Sequence, residues 1–289
     1  MTRVPPKDDA IIAERPAATG TLFVVATPIG NLEDISARAL RILAEVALIA
    51  AEDTRTSRVL LDRYAIATPV RAVHEHNEAA QVAGLVERLR AGDSIALISD
   101  AGTPLVSDPG FRLVAAARAA GVPVLPVPGA CAAIAALSVA GLASDRFCFE
   151  GFLPAKAPAR RARLAQFVAE PRTMVFYESS HRIVDCLADL VATFGPGRKA
   201  VLARELTKRF ETVLGEDLGS IAARVDADPH QQRGEFVLVL AGNPAPEGAA
   251  LVEGRRLYAV LARELPPSRA ARVAAELSGA PRRALYEGD

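Results

Sequence analysis

Between the turn Ala91-Gly92-Asp93 and the hexapeptide Ser99-Asp100-Ala101-Gly102-Thr103-Pro104 lies Ile95-Ala96-Leu97-Ile98, an apolar run with no polar alternation. A strand that is apolar at every position has both faces buried, so its sheet must be covered on both sides. Similar short apolar runs at 22–26, 46–50, 70–73 and 122–127 are separated by segments with helical spacing. Ile35, Ala39, Ile42 and Leu43 form one such segment, and Val82, Leu85, Val86 and Leu89 another. Strands and helices in alternation predict a mainly parallel sheet with helices on both faces, an α/β fold.

The chain has 289 residues, enough for two domains and a substantial core. Pro128-Gly129 and the Ala-rich helix after it read as a hinge. Beyond it the pattern predicts a strand at 147–149, a basic helix at 160–168, a strand at 173–177 and a helix at 181–194. A strand at 200–203, a polar mixed stretch and a strand at 236–240 follow. After Gly242-Asn243-Pro244-Ala245-Pro246 the composition shifts, and a small helical tail is expected from near Gly254. The expected organisation is a disordered leader over 1–20, an N-terminal α/β domain over 21–128, a C-terminal α/β domain over 129–243, and a linker with helical tail over 244–289.

Formal charge balances at zero, so any argument for a nucleic-acid partner has to be local. Cys131, Cys148 and Cys186 lie far apart without C-x-x-C spacing. They read as free thiols in a reducing compartment, with no metal site. The leader lacks the apolar core of a signal peptide, and the longest apolar stretch, 130–142, is too short to cross a bilayer. A soluble, cytoplasmic protein is expected.

The hexapeptide is the first candidate site. Gly102 permits close approach or positive φ, Pro104 stiffens the exit, and Asp100 and Thr103 offer oxygens beyond a strand's carboxyl end, where parallel sheets bind ligands. A plain turn ahead of a helix signalled by Asp108-Pro109 is the competing reading. The chain has no G-x-G-x-x-G after its first strand, no P-loop and no G-x-S-x-G, which removes the common dinucleotide, nucleotide and nucleophile-elbow fingerprints.

Several ordered blocks carry a resemblance. They are 25–32 (Val-Ala-Thr-Pro-Ile-Gly-Asn-Leu), Ala51-Glu52-Asp53-Thr54-Arg55, His76-Asn77-Glu78, the hexapeptide and Pro128-Gly129. Gly151-Phe152-Leu153-Pro154, Phe176-Tyr177-Glu178-Ser179 and 203–208 (Ala-Arg-Glu-Leu-Thr-Lys) follow, and Ala284-Leu285-Tyr286 extends the match into the tail. Over 21–242 the chain resembles the ribosomal RNA small-subunit methyltransferase I family of the tetrapyrrole methylase superfamily. The resemblance implies two α/β domains of the tetrapyrrole methylase type with the cofactor cleft between them. It implies S-adenosyl-L-methionine-dependent methylation of a cytidine 2′-hydroxyl in the decoding region of small-subunit (16S) ribosomal RNA. It also implies a homodimer acting on the small ribosomal subunit, with no metal and no membrane.

By position in that family, Ser99, Asp100, Ala101, Gly102, Thr103 and Pro104 would run along the cofactor. Ala132 and Ala133 would lie beside it, Tyr177 could pack on it, and Leu206 and Glu235 are further candidates. Thr27, Pro28 and Gly30 would form the opposite wall, where substrate and cofactor meet. The superfamily's glycine-rich loop is replaced here by the hexapeptide, which disfavours a tetrapyrrole substrate.

Methylating a hydroxyl requires its proton to leave as the oxygen attacks. Asp53, Glu78, Glu178, Glu205, Lys208, His76 and His181 could take it, and Glu178 and Glu205 stand out as catalytic candidates just past apolar strands. Either could instead orient Arg55, Arg182 or Arg204. Lys156, Arg160, Arg161 and Arg163, with no acid until Glu170, predict a phosphate-binding helix start, and Arg204 and Lys208 add a second basic group, with Arg55 a further contact. Seven tail arginines outnumber four acids, and Ala270, Val273, Ala274 and Leu277, then Gly279 and Pro281, resemble a helix-turn-helix. A tetrapyrrole C-methyltransferase and a catalytically silent RNA-binding or ribosome-assembly protein are the alternatives.

Overall fold

A computed structural model describes residues 19–243 and 246–285. The expected leader lies outside the described residues apart from Thr19 and Gly20, as do Pro244, Ala245 and Tyr286. The chain divides into two compact units, the first of 1–28 and 32–130, the second of 29–31 and 131–289.

The first unit carries a five-stranded sheet in the order β3-β2-β4-β1-β5, with β1 Leu22–Val25, β2 Leu48–Ala51, β3 Val70–Ala72, β4 Ile95–Ile98 and β5 Val124–Val127. Every pairing is parallel, as the unbroken apolar runs predict. Helices α1 (Ala37–Glu45) and α2 (Thr54–Arg63) bury Ile42, Leu43, Leu60 and Leu61 on one face. On the other, α3 (Glu78–Arg90) and α4 (Phe111–Ala119) bury Leu85, Leu89, Leu113 and Ala117. Boundaries shift where caps intervene. Ser36 accepts from the Ala39 N–H at 3.1 Å, so α1 starts after a 3-10 turn at Leu32–Asp34. The Val46 N–H still bonds Ile42 in the last helical turn, which delays β2 to Leu48.

In the second unit the order is β6-β7-β10-β8-β9, with β6 Phe147–Phe152, β7 Thr173–Ser179, β8 Lys199–Arg204, β9 Thr212–Asp217 and β10 Glu235–Leu240. Only β6 and β7 are parallel; the others run antiparallel. Helices α6 (Ala157–Ala165), α7 (Ile183–Phe194) and α8 (Leu218–Ala227) cover one face, packing Leu164, Leu187 and Ile221 against Met174 and Phe176. The Ala-rich α5 (Ala132–Val139) covers the other, setting Ala133 and Ala136 on Val175, Val201 and Val237. The polar mixed stretch of the sequence holds β9 and α8. β9 is an edge strand with one buried residue, Leu214, and so has no apolar run to betray it.

The tail folds as α9 (Pro246–Leu261), α10 (Pro267–Ser278) and a 3-10 turn at Arg282–Leu285, around Ala274, Ala280 and Leu285. α9 starts at Pro246 rather than near Gly254, since proline fits a helix's first turn. Among the described residues no helix is long and apolar enough to cross a membrane.

Candidate functional site

In the first unit β4 and β1 are neighbours whose connections diverge. β1 leads through α1 to β2 towards one edge, and β4 leads through α4, on the opposite face, to β5 at the other. Such a switch point opens a crevice at the strands' carboxyl ends. The hexapeptide lies there. The Thr27 N–H donates to the Gly102 carbonyl at 2.8 Å, and the Gly102 N–H returns a bond to Thr27 at 3.1 Å. The Thr27 hydroxyl donates to the Ser99 carbonyl at 3.2 Å, and Thr103 Oγ1 to Ala130 at 3.0 Å. Gly102 has φ +81 as its sequence position anticipates, while Thr27, Pro28, Ser99 and Pro104 are buried. The loop is thus a fixed length of backbone edge, with Ala101 adding only a methyl group, and it suits a ligand that must come close to the main chain.

Carboxylates gather beside it. Asp100 Oδ1 accepts from the Asp53 N–H at 3.0 Å, and the Asp100 N–H donates to Glu52 at 3.3 Å. Burial raises both Glu52 and Asp100 from their ordinary values. Asp108 is pushed up to about 6, mainly by burial and further by the charges of Glu52 and Asp100, against a hydrogen bond from Ser99. Asp53 is held at about 2 by the Arg55 guanidinium, which reaches it at 2.7 Å. Arg55 itself stands in solvent, tethered to Asp53 at the first turn of α2. Sequence reasoning passed over Asp108 as a helix-start signal. The helix begins at Phe111, and the half-buried acid in the preceding loop was the missed cue.

In the second unit Ala132, Ala133, Tyr177 and Leu206 come together on the α5 face of the sheet. Cys131 at the N-cap of α5 makes no side-chain cap, and the Ala133 N–H donates instead to the Tyr177 hydroxyl at 3.0 Å. Glu235 is exposed at the start of β10, where the Lys208 ammonium reaches it at 2.7 Å and Glu205 at 2.9 Å. Gly30 belongs to the same corner: a β-carbon there would collide with Lys208, and the Asn31 N–H donates to Thr207 Oγ1 at 3.1 Å.

Neither proposed base stands free. Glu178 follows Phe176 onto the face opposite Tyr177, with its side chain wholly buried. It accepts from the Ser179 N–H at 2.8 Å and lies 3.2 Å from Arg182, which also donates to the Leu153 carbonyl. Burial this complete gives Glu178 a structural ion pair rather than access to substrate. Burial pushes Glu205 up, but Lys208 and the Glu235 N–H outweigh it and lower its proton affinity. Lys208 is raised in turn, its two carboxylate partners overcoming burial, and stays charged.

Two expected phosphate contacts are corrected by burial. Arg160 is 3% exposed and pairs with Asp189 of α7 at 2.7 Å. Arg204 is 8% exposed and donates to the carbonyls of Arg233 and Phe210. Lys156 and Arg161 face solvent, as do the seven tail arginines. Among the described residues, four of the five non-glycine residues with positive φ, Leu105, Ser107, Glu205 and Thr207, fall in the loops after β4 and β8 that carry these candidates. Such strain concentrates at functional loops. Among the described residues no group of three or more His, Cys, Asp or Glu is placed to hold a metal ion.

The family model for Tetrapyrrole (Corrin/Porphyrin) Methylases matches residues 21–222, and the RsmI C-terminal HTH domain matches 248–287. A protein of Xylella fastidiosa named ribosomal RNA small subunit methyltransferase I is 58% identical over 269 residues, 93% of this chain and 98% of that protein. The chain belongs to the ribosomal RNA small subunit methyltransferase I family of tetrapyrrole methylases. Its members of the same name in Pseudomonas aeruginosa and Escherichia coli O157:H7 are 56% and 51% identical, each over 93% of this chain and 96% and 94% of their own lengths. The tetrapyrrole methylase fold extends to the methyltransferase CobJ, with TM-score 0.57 and 22% identity over 78% of this chain and 95% of that one. Uroporphyrin-III C-methyltransferase from Thermus thermophilus, solved with S-adenyl homocysteine, matches at TM-score 0.55 and 22% identity over 77% of this chain and 97% of that one. Of the candidate residues in this family member, Glu235 and the tail arginines lie beyond the methylase match.

Proposed function

We propose that this chain is an S-adenosyl-L-methionine-dependent methyltransferase of small-subunit (16S) ribosomal RNA, acting in the cytoplasm as a homodimer on the 2′-hydroxyl of a cytidine in the decoding region. The observation that carries the reading is identity above one half, tail included, to relatives named for methylating that RNA.

The residues suit the chemistry. Bound S-adenosylmethionine supplies a methyl group made electrophilic by its sulfonium. In-line transfer of that methyl to a ribose oxygen would release S-adenosylhomocysteine and would need the hydroxyl proton to pass to a base or to water. In the first unit the pinned backbone of Ser99–Pro104 is fit to approach the donor closely; in the second, Ala132, Tyr177 and Leu206 are separate candidate contacts for it. Asp108, pushed up to about 6 by burial, has a proton affinity suited to accepting a proton near neutral pH, whereas Glu178 and Glu205 are tied to cations. Lys156, Arg161 and the exposed tail arginines offer phosphate contacts.

The test is transfer of labelled methyl to small subunits that lack the modification. Gly102→Val should weaken donor binding by about ten-fold or more, measured by calorimetry, because a side chain there displaces the backbone from its bonds with Thr27. Unchanged donor affinity would count against the placement of the donor.

A further inference from the structure

Phe149 and Phe152 are three residues apart, so a regular strand would send them to opposite faces. β6 is not regular. Its register against β7 shifts between Phe149 and Gly151, and Gly151 takes φ +61, a left-handed turn that glycine adopts without strain. Phe149 then pairs with Val175 and Phe152 with Tyr177, so both aromatics stand on the Tyr177 side of the sheet. Their rings meet Tyr177 edge to face at centroid distances of 4.9 and 5.6 Å. Phe149 is half-buried by this contact, but Phe152 keeps 54% of its surface in water. The bulge thus takes a large apolar ring out of strand alternation and leaves it exposed beside a tyrosine fixed by its bond to α5.

We infer that the exposed ring of Phe152, braced edge to face by Tyr177, is an open stacking platform for a nucleobase of the RNA substrate, an inference that rests on the function proposed above. Aromatic faces that accept unstacked bases, flanked by cations for the backbone, are how proteins hold single-stranded RNA. One cation is near in the chain. Lys156, four residues beyond Phe152, is exposed at the N-cap of α6 and has no ion pair among the described residues. Its charge helps distinguish the two base-bearing ligands the ring could meet. A methyl donor has no phosphate and carries a positive sulfonium, so a cation close in sequence favours the phosphate-bearing polymer over the donor.

Phe152→Ala and Phe152→Trp are compared with the unaltered enzyme in three measurements. They are methyl transfer to unmodified small subunits, calorimetric binding of S-adenosylhomocysteine, and quenching of 2-aminopurine in a single-stranded oligoribonucleotide. The platform predicts that alanine raises KM for the subunit by about ten-fold and abolishes quenching, that tryptophan restores both, and that donor affinity stays within about two-fold. An unchanged KM and unchanged quenching with alanine would overturn it, as would an equal loss of donor affinity, which would give the ring to the donor. Dissociation of a dimer by the alanine variant would likewise overturn it, making the ring a subunit contact. Quenching that depends on Phe152 in an enzyme that transfers no methyl would sink the proposed function and leave the platform standing.

Discussion

Arg160 and Arg161 are adjacent and alike in sequence, and the fold gives them opposite roles. Arg160 is sealed against Asp189 while Arg161 lies in water, 3.8 Å from the same carboxylate. Removing one partner of a buried pair leaves the other charge stranded, so Arg160→Ala should cost about 3 kcal/mol in urea denaturation. Arg161→Ala should change stability by less than about 0.5 kcal/mol and should instead weaken RNA binding, more so at low salt. The distinction was within reach of the sequence. Leu164 and Phe167 follow Arg160 at four and seven residues, which puts Arg160 on the apolar stripe. Asp108 was less legible, because its raised proton affinity depends on burial and on Glu52 and Asp100, brought close only by folding. Its proton is held more tightly in the fold, near 6, than in the unfolded chain, near 3.8. That contribution is therefore fully present below about pH 4 and is lost as pH rises through about 6. Asp108→Asn should melt above the unaltered protein at pH 7 and lose this advantage by about pH 4; a pH-independent difference would refute the assignment.

At the scale of elements, the parallel strands of the first unit were readable because burial on both faces writes an unbroken apolar run. β9 and α8 were not, because an edge strand with one buried residue and a helix capped by Asp217 look polar. The capping of α5 was equally hidden. Its N-cap residue, Cys131, makes no capping bond, and the acceptor for the Ala133 N–H comes from Tyr177, 44 residues on from Ala133. Tyr177→Phe keeps the ring contacts and deletes that acceptor, so a loss of about 1 kcal/mol is expected from thermal melting. No loss would mean that water serves the helix start equally well. The bulge at Gly151 belongs here too, since a register shift that moves Phe152 across the sheet leaves little trace in the pattern of residue types.

For the molecule as a whole, two sheets of different character stand on one chain: a fully parallel, doubly covered sheet and a mixed one. The alternating pattern and ordered motifs anticipated the α/β class and the family, while the placement of each charge needed three dimensions. Both catalytic candidates drawn from the sequence, Glu178 and Glu205, are held by cations, and the carboxyl groups with raised proton affinity lie in the other unit. The central claim is transfer of a methyl group to a ribose hydroxyl of small-subunit RNA. The most direct measurement is incubation of unmodified small subunits with this protein and labelled S-adenosylmethionine, followed by digestion to nucleosides. Label recovered as 2′-O-methylcytidine is the predicted result. Label on a base, or donor binding without any label in RNA, would contradict it.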